Sequence, residues 1–234
     1  MKHCFIAILS LLTLSKSAFA GDKIKLGIKV SPVISFASVK DKDSKDGRSF
    51  NGQGNALKFV IGPYIDCAIN DNVYFSFGVW YSPRTVKLSH RYLDTLGNVA
   101  GGTSQYNLQY LMVPLSFKFY TNEITEGMKL YFTLGVTADF KIAEKNIGDN
   151  DHAGLKEAAS EEGQQLFSFF DAGLLLGAGV EYKLGDITTV YGGFSYNRGL
   201  TNIVNPLLVI NNSKPYQYLS VKNNLIGIDL GLKF

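Results

Sequence analysis

The chain has 234 residues, 46% hydrophobic, 13% aromatic and 18% charged, with a formal net charge of +3. That length suits one domain with a full core, and the charges are too few and too scattered for a nucleic-acid surface. Of the two cysteines, Cys4 lies in the leading segment, so Cys67 has no partner for an internal disulfide.

Met1-Lys2-His3 is a short basic start, Phe5 to Leu14 an apolar run, and Ala18-Phe19-Ala20 a small-x-small site before Gly21. This is the pattern of a secretory signal peptide over residues 1–20, leaving 21–234 as a single domain. Loss of Lys2 and Lys16 takes the balance from 23 basic against 20 acidic residues to 21 against 20. No mature stretch offers the roughly 18 apolar residues of a membrane helix. The longest candidate, Leu166 to Val180, is broken by Asp171.

The mature chain alternates with period two, the spacing of a strand with unlike faces. Ile24, Leu26, Ile28 and Val30 face away from Lys23, Lys25, Gly27 and Lys29. Leu57, Phe59, Ile61, Ile65, Cys67 and Ile69 oppose Lys58, Tyr64 and Asp66. Val73, Phe75, Phe77, Val79 and Tyr81 oppose Tyr74, Ser76, Gly78, Trp80 and Ser82. A fourth run sets Leu111, Val113, Leu115, Phe117 and Phe119 against Ser116, Lys118 and Tyr120. Before it, Tyr106, Leu108 and Tyr110 carry apolar rings and chains on the other parity, which predicts a bulge near Tyr110. The fifth run holds Leu130 to Ile142, the sixth Leu166 to Leu184, and the seventh, weaker, Val190, Phe194 and Tyr196. The eighth sets Ile226, Ile228, Leu230, Leu232 and Phe234 against Gly227, Asp229, Gly231 and Lys233.

The connections alternate in length. Short turns fall at Asn70 to Asn72, Asn122 to Gly127 and Gly185-Asp186. Long polar segments fall at Val39 to Asn55, Pro83 to Ser104, Ala143 to Gln164 and Asn197 to Lys214. Eight runs joined this way predict an all-β fold: an eight-stranded antiparallel up-and-down transmembrane β-barrel with short periplasmic turns and long extracellular loops. A soluble sandwich or lipocalin-like barrel also alternates, but its apolar face points inward. Here the large apolar residues fill one face of nearly every run and Gly, Ser, Thr and paired charges fill the other, which suits lipid outside and a narrow interior. The location expected is the outer membrane of a Gram-negative cell, with lipid as the outer partner and no nucleic acid.

The final strand ends on Phe234, an aromatic at an interface depth. Lys25-Leu26-Gly27-Ile28-Lys29, the segment Tyr110 to Phe119, and Tyr196-Asn197-Arg198-Gly199-Leu200-Thr201-Asn202-Ile203 resemble the porin-family or PorT-like barrels of Bacteroidota outer membranes. The resemblance covers essentially the whole mature chain and rests on strand and turn motifs. It implies a membrane barrel, and some members of the PorT branch serve protein secretion and gliding. Phe234 resembles the terminal residue that the barrel-assembly machinery reads, which makes that machinery an expected partner through the C-terminal strand. The group has no defined catalytic residue, so none is carried over.

Chemistry-bearing residues are sparse. His90 and His152 fall in long polar segments, Ser89 is merely adjacent to the first, and no G-x-S-x-G elbow exists. Asp41 to Gly47 has the look of a calcium loop, but position 5 is Lys45 and the glycine comes one place late. Asp149-Asn150-Asp151 reads as the start of a short helix through Leu155 to Ala159, with Asp151 as N-cap. Cys67 sits on the apolar parity as a small lipid-facing residue. No catalytic, cofactor-binding or metal residue is assigned, and no cofactor is expected.

The polar parity carries Lys25, Lys29, Lys58, Arg84, Lys118, Lys129, Lys141 and Lys183 with Asp66, Asp139, Asp171, Glu181 and Asp229. Opposed charges in so narrow a space are expected to pair, with Tyr64, Tyr74, Trp80, Tyr131 and Tyr191 filling what is left. The resulting expectation is a non-enzymatic barrel with a largely plugged lumen, acting as a structural or interaction protein or a secretion-apparatus accessory. A narrow channel for small solutes comes second and an outer-membrane lipid-modifying enzyme third. Cleavage is expected between Ala20 and Gly21, and mass spectrometry of the membrane-resident protein checks it: an N-terminus at Met1 overturns the assignment.

Overall fold

Backbone in hydrocarbon has to satisfy its N–H and C=O groups internally, and strands do this only by pairing along both edges. The computed structural model describes residues 23–41, 49–93, 99–147, 165–185, 187–205 and 219–234. Ten antiparallel strands run through them: β1 (Ile24–Asp41), β2 (Ser49–Gly52), β3 (Asn55–Asn70), β4 (Val73–Gly78), β5 (Trp80–Leu93), β6 (Val99–Tyr120), β7 (Met128–Asn146), β8 (Phe170–Lys183), β9 (Thr189–Gly199) and β10 (Leu219–Lys233). The signal-peptide site, Asp149 to Ala159, His152 and the interior of the Asp41–Gly47 segment lie outside the described residues, as does the side chain of His90.

The strands make one up-and-down sheet. β1 pairs with β10, Ile28 opposite Leu232, and with β3 on its other edge, Lys29 opposite Gly62. From β3 the ladder passes to β4 and β5, then in turn to β6, β7, β8, β9 and β10.

The count of ten against eight runs has two causes. Only Val79 separates β4 from β5, and its N–H still reaches the Pro63 carbonyl at 3.1 Å, so the two are halves of one run. β2 is a short strand inside the segment expected as polar loop, and it pairs with β5 from Gly52–Leu88 to Ser49–Arg91. The segment expected as a loop from Pro83 to Ser104 is also mostly ladder, continuous from Trp80–Met112 to Leu93–Val99. Polar side chains do not prevent pairing, because the bonding groups belong to the backbone.

The bulge near Tyr110 exists, but it lies on the neighbouring strand. Gln109 faces Ala143 and Tyr110 faces Lys141, so Ile142 of β7 is the extra residue. β6 keeps its parity throughout, which turns Tyr106, Leu108 and Tyr110 inward and buries all three. Leu166, expected at the start of the sixth run, precedes β8 instead and is buried with Phe167 at the long-loop end.

The two faces separate as the alternation predicts. Phe59, Phe132, Phe194, Ile228 and Leu230 stand exposed on the convex face, while Asp66, Arg84, Asp139 and Asp171 are almost wholly buried on the concave one. Close packing inside depends on glycine. A Cβ at Gly27 would fall within the Tyr64 ring, one at Gly231 within the Tyr191 ring, and one at Gly179 or Gly193 against the Tyr131 hydroxyl. Bare backbone thus makes the recess that each ring occupies.

Gly231→Val is expected to lower stability by about 1–3 kcal/mol through this overpacking. Gly185→Ala, where an added Cβ meets nothing within 4 Å, should change little. Denaturant midpoints of the folded protein in detergent compare the two.

Candidate functional site

Among the described residues, polar groups of many strands converge on the concave face. At the short-turn end, Lys118 Nζ lies 2.9 Å from Asp66 Oδ2 and Lys233 Nζ 2.5 Å from Glu181 Oε2. Lys233 also donates to the Tyr120 hydroxyl at 3.2 Å, and that hydroxyl donates to Glu181 Oε1 at 2.6 Å. Lys233 is on β10 and Tyr120 on β6, four strands apart along the sheet, so these side chains meet across its concave side. Tyr64 and Tyr191 meet edge to face at 5.9 Å, and the Lys118 ammonium stands 4.2 Å over the Tyr64 ring.

One level up, Asp229 accepts from Lys29 Nζ at 2.7 Å, from Ser31 Oγ at 2.5 Å and from Ser195 Oγ at 2.8 Å. The Lys29 ammonium sits 4.3 Å over Trp80. Above it Val33, Val60, Met112, Leu175 and Leu225 form an apolar layer with Trp80. A second ionic level lies beyond that layer. Arg84 bridges Asp139 at 2.5 Å and Asp171 at 3.1 Å, with its guanidinium 4.6 Å over Tyr110. Thr201 donates to Asp171 at 2.6 Å, and Asn197 to Thr137 at 3.0 Å.

The long-loop end is closed by apolar side chains. Phe50, Leu88, Leu108, Tyr110, Phe167, Ile203 and Val221 are buried against one another there. Lys141 fastens this cap: its ammonium pairs with Glu144 at 2.5 Å and donates to the Phe167 carbonyl. Phe167 in turn bridges to Val204, so both connections fold into the mouth.

Two of the spaces left on this face are small. A cavity of about 30 Å³ is bordered by Lys29, Trp80, Lys118, Gly177 and Asp229, and one of about 20 Å³ by Val60, Met112 and Leu225. Each has room for a water or two. Trp80 Nε1 and Tyr64 Oη, without a protein hydrogen-bond partner among the described residues, belong to residues that border the first.

Of the charges placed inside by parity, Lys29, Arg84, Lys141 and all five acids are buried and paired, and Lys118 is paired but only partly buried. Lys183 lies exposed at the short-turn end, and Lys58 leaves the interior for Asn107. Lys233 was not among the expected interior cations although its parity places it there. The apolar cap was missed because Leu166, Phe167, Ile203 and Val204 sit in connections, where no period marks a facing direction. Cys67 is half-buried and free on the convex parity. Among the described residues no three metal-ligating side chains converge.

The outer membrane protein beta-barrel domain family matches residues 16–205. No curated protein matches the chain. Similar solved structures include the outer membrane protease OmpT of Escherichia coli, at 10% identity over 94% of this chain and 99% of that one, with a TM-score of 0.49. Neisserial surface protein A is 11% identical over 89% and 95%, with a TM-score of 0.45. The N-terminal β-barrel domain of Pseudomonas aeruginosa OprF is 10% identical over 90% and 97%, with a TM-score of 0.40. Likeness of this degree assigns no activity.

Removing Arg84 leaves Asp139 and Asp171 buried without their cation. Arg84→Met is expected to cost about 3–5 kcal/mol, and the triple change Arg84→Met, Asp139→Asn, Asp171→Asn to restore most of it, because the charge is then gone altogether. Denaturant unfolding of the three proteins provides the comparison.

Proposed function

The chain belongs to the outer membrane protein beta-barrel domain family, and from that premise we propose a closed barrel of eight staves with a sealed lumen. In this reading β4 and β5 make one stave and β2 is an extension at the rim. The pairing of β1 along both edges supports closure, since an open edge in hydrocarbon is not tolerated. The protein works as a non-enzymatic structural or interaction protein of the outer membrane. It presents its long connections to the outside or docks a partner as an accessory of a secretion apparatus.

The observation that carries this reading is the succession of ionic, aromatic and apolar levels across the interior. A selective pore needs a continuous wet path lined mainly by one sign of charge. Here cations and anions alternate within contact distance and an apolar cap closes one end. A catalytic role would need a reactive group beside substrate space, whereas these ionised groups are spent on one another.

Purified protein in planar bilayers is expected to pass no reproducible unit current. Gly177→Leu, which fills the cavity beside Lys29 and Asp229, should leave that silence unchanged. Stepwise openings in the wild type that Gly177→Leu abolishes would overturn the sealed lumen and establish the narrow channel.

A further inference from the structure

The wall has a seam between β3 and β5. These strands pair at Ile61–Tyr81, and the chain rejoins β5 further up, where Gln53 donates to the Lys87 carbonyl at 3.0 Å and Gly52 faces Leu88. Between those points Asn55 to Val60 pairs with β1 throughout, yet no described residue pairs with its other edge.

The sequence explains the gap. Continuing the Ile61–Tyr81 register would set Phe59 opposite Pro83, which has no N–H, and Lys58 opposite Arg84, a second cation. The Thr85 N–H is diverted to Ser35 Oγ at 3.2 Å, and Lys58 Nζ reaches Asn107 Oδ1 at 3.2 Å. Thr85 lies on the convex parity of β5 but is only 4% exposed. β3 therefore passes outside β5 along this stretch, like a lapped board.

The lap leaves backbone groups without a ladder partner among the described residues. The Pro63 carbonyl points toward the β4–β5 side, so along regular β3 the odd residues turn their bonding groups the same way. Leu57 and Phe59 thus offer N–H and C=O pairs at the free edge, and their side chains are 70% and 60% exposed. An unpaired edge beside an apolar band is costly in lipid and attracts a strand.

We propose that this edge docks an extended segment of another polypeptide, apolar at alternate positions and carrying a carboxylate that meets Lys58. Only a peptide backbone repeats donors and acceptors at the spacing of alternate strand residues, about 6.8 Å. A second copy of this chain fits poorly, because antiparallel self-pairing here places two Lys58 side chains on one face within diagonal reach. The docking edge rests on the interaction role proposed for the barrel, gives that role a surface, and does not depend on a sealed lumen.

The test uses the full mature chain with Cys67→Ser in phosphatidylcholine vesicles. The probe is a nine-residue acetylated peptide of alternating Val and Thr with a central Glu and one Cys moved along it. With diamide as the oxidant, which is reduced to its hydrazine as the two thiols join, Leu57→Cys should form a disulfide best with one peptide position, and Phe59→Cys with the position two residues away in the antiparallel sense. Exchanging the peptide Glu for Lys should lower the yield by up to about fivefold, and Lys58→Glu should reverse that preference. No disulfide, yields independent of position, or equal yields at Ile65→Cys, where β3 is paired on both sides, would overturn the docking edge. Conductance of the same vesicles separates the edge from the sealed lumen. Register without silence overturns only the sealed lumen, and silence without register overturns only the edge.

Discussion

An ionised group held away from water needs its counter-charge within contact distance, and the concave face of this sheet is organised around that need. Asp66, Asp139, Asp171, Glu181 and Asp229 are all buried, and each meets a cation that arrives from another strand. Arg84 of β5 reaches Asp139 of β7 and Asp171 of β8, so one guanidinium ties β5 to two paired strands with which it shares no ladder. Such pairs add little net stability over apolar packing. Their effect is on specificity, since a slip of register by one residue would carry every one of these charges to the lipid side.

Glycine and tyrosine make the same interior dense. The rings of Tyr64, Tyr131 and Tyr191 reach across toward neighbouring strands, and they fit because Gly27, Gly179, Gly193 and Gly231 leave bare backbone there. The hydroxyl of Tyr120 joins this aromatic cluster to the ionic level, while ring faces receive Lys118 and Lys29 as cation–π partners of Tyr64 and Trp80. Ring, recess and charge are therefore one packing solution. The cavities beside Lys29 and beside Val60 have room for only a water or two.

The cap and the seam show where this order ends. Toward the long connections the inward residues become apolar, and Lys141 holds the Phe167 carbonyl so that the connection itself fills the mouth. In the wall, the lap of β3 over β5 falls where Pro83 lacks a donor and Lys58 cannot face Arg84. Both features lie toward the long-connection end of the sheet, the cap across its interior and the seam in its wall.

Much of this was legible in the sequence, because a strand's side chains alternate strictly and its two environments here differ sharply. The period of two alone sorted Phe59, Phe132 and Leu230 to the outside and Asp66, Arg84 and Asp171 to the inside, and the spacing of turns ordered the strands. What alternation cannot encode is which inward residue meets which, since Lys233 and Tyr120 are brought together by the curvature of the whole sheet and not by any local spacing. Nor does it say how far a ladder runs. β5 and β6 continue through a polar stretch because backbone pairing is indifferent to side-chain polarity, and Leu166 and Phe167 turn inward because the mouth has apolar surface to cover. Local periodicity determined the faces; the partners, the cap and the seam were decided only when distant strands were set side by side.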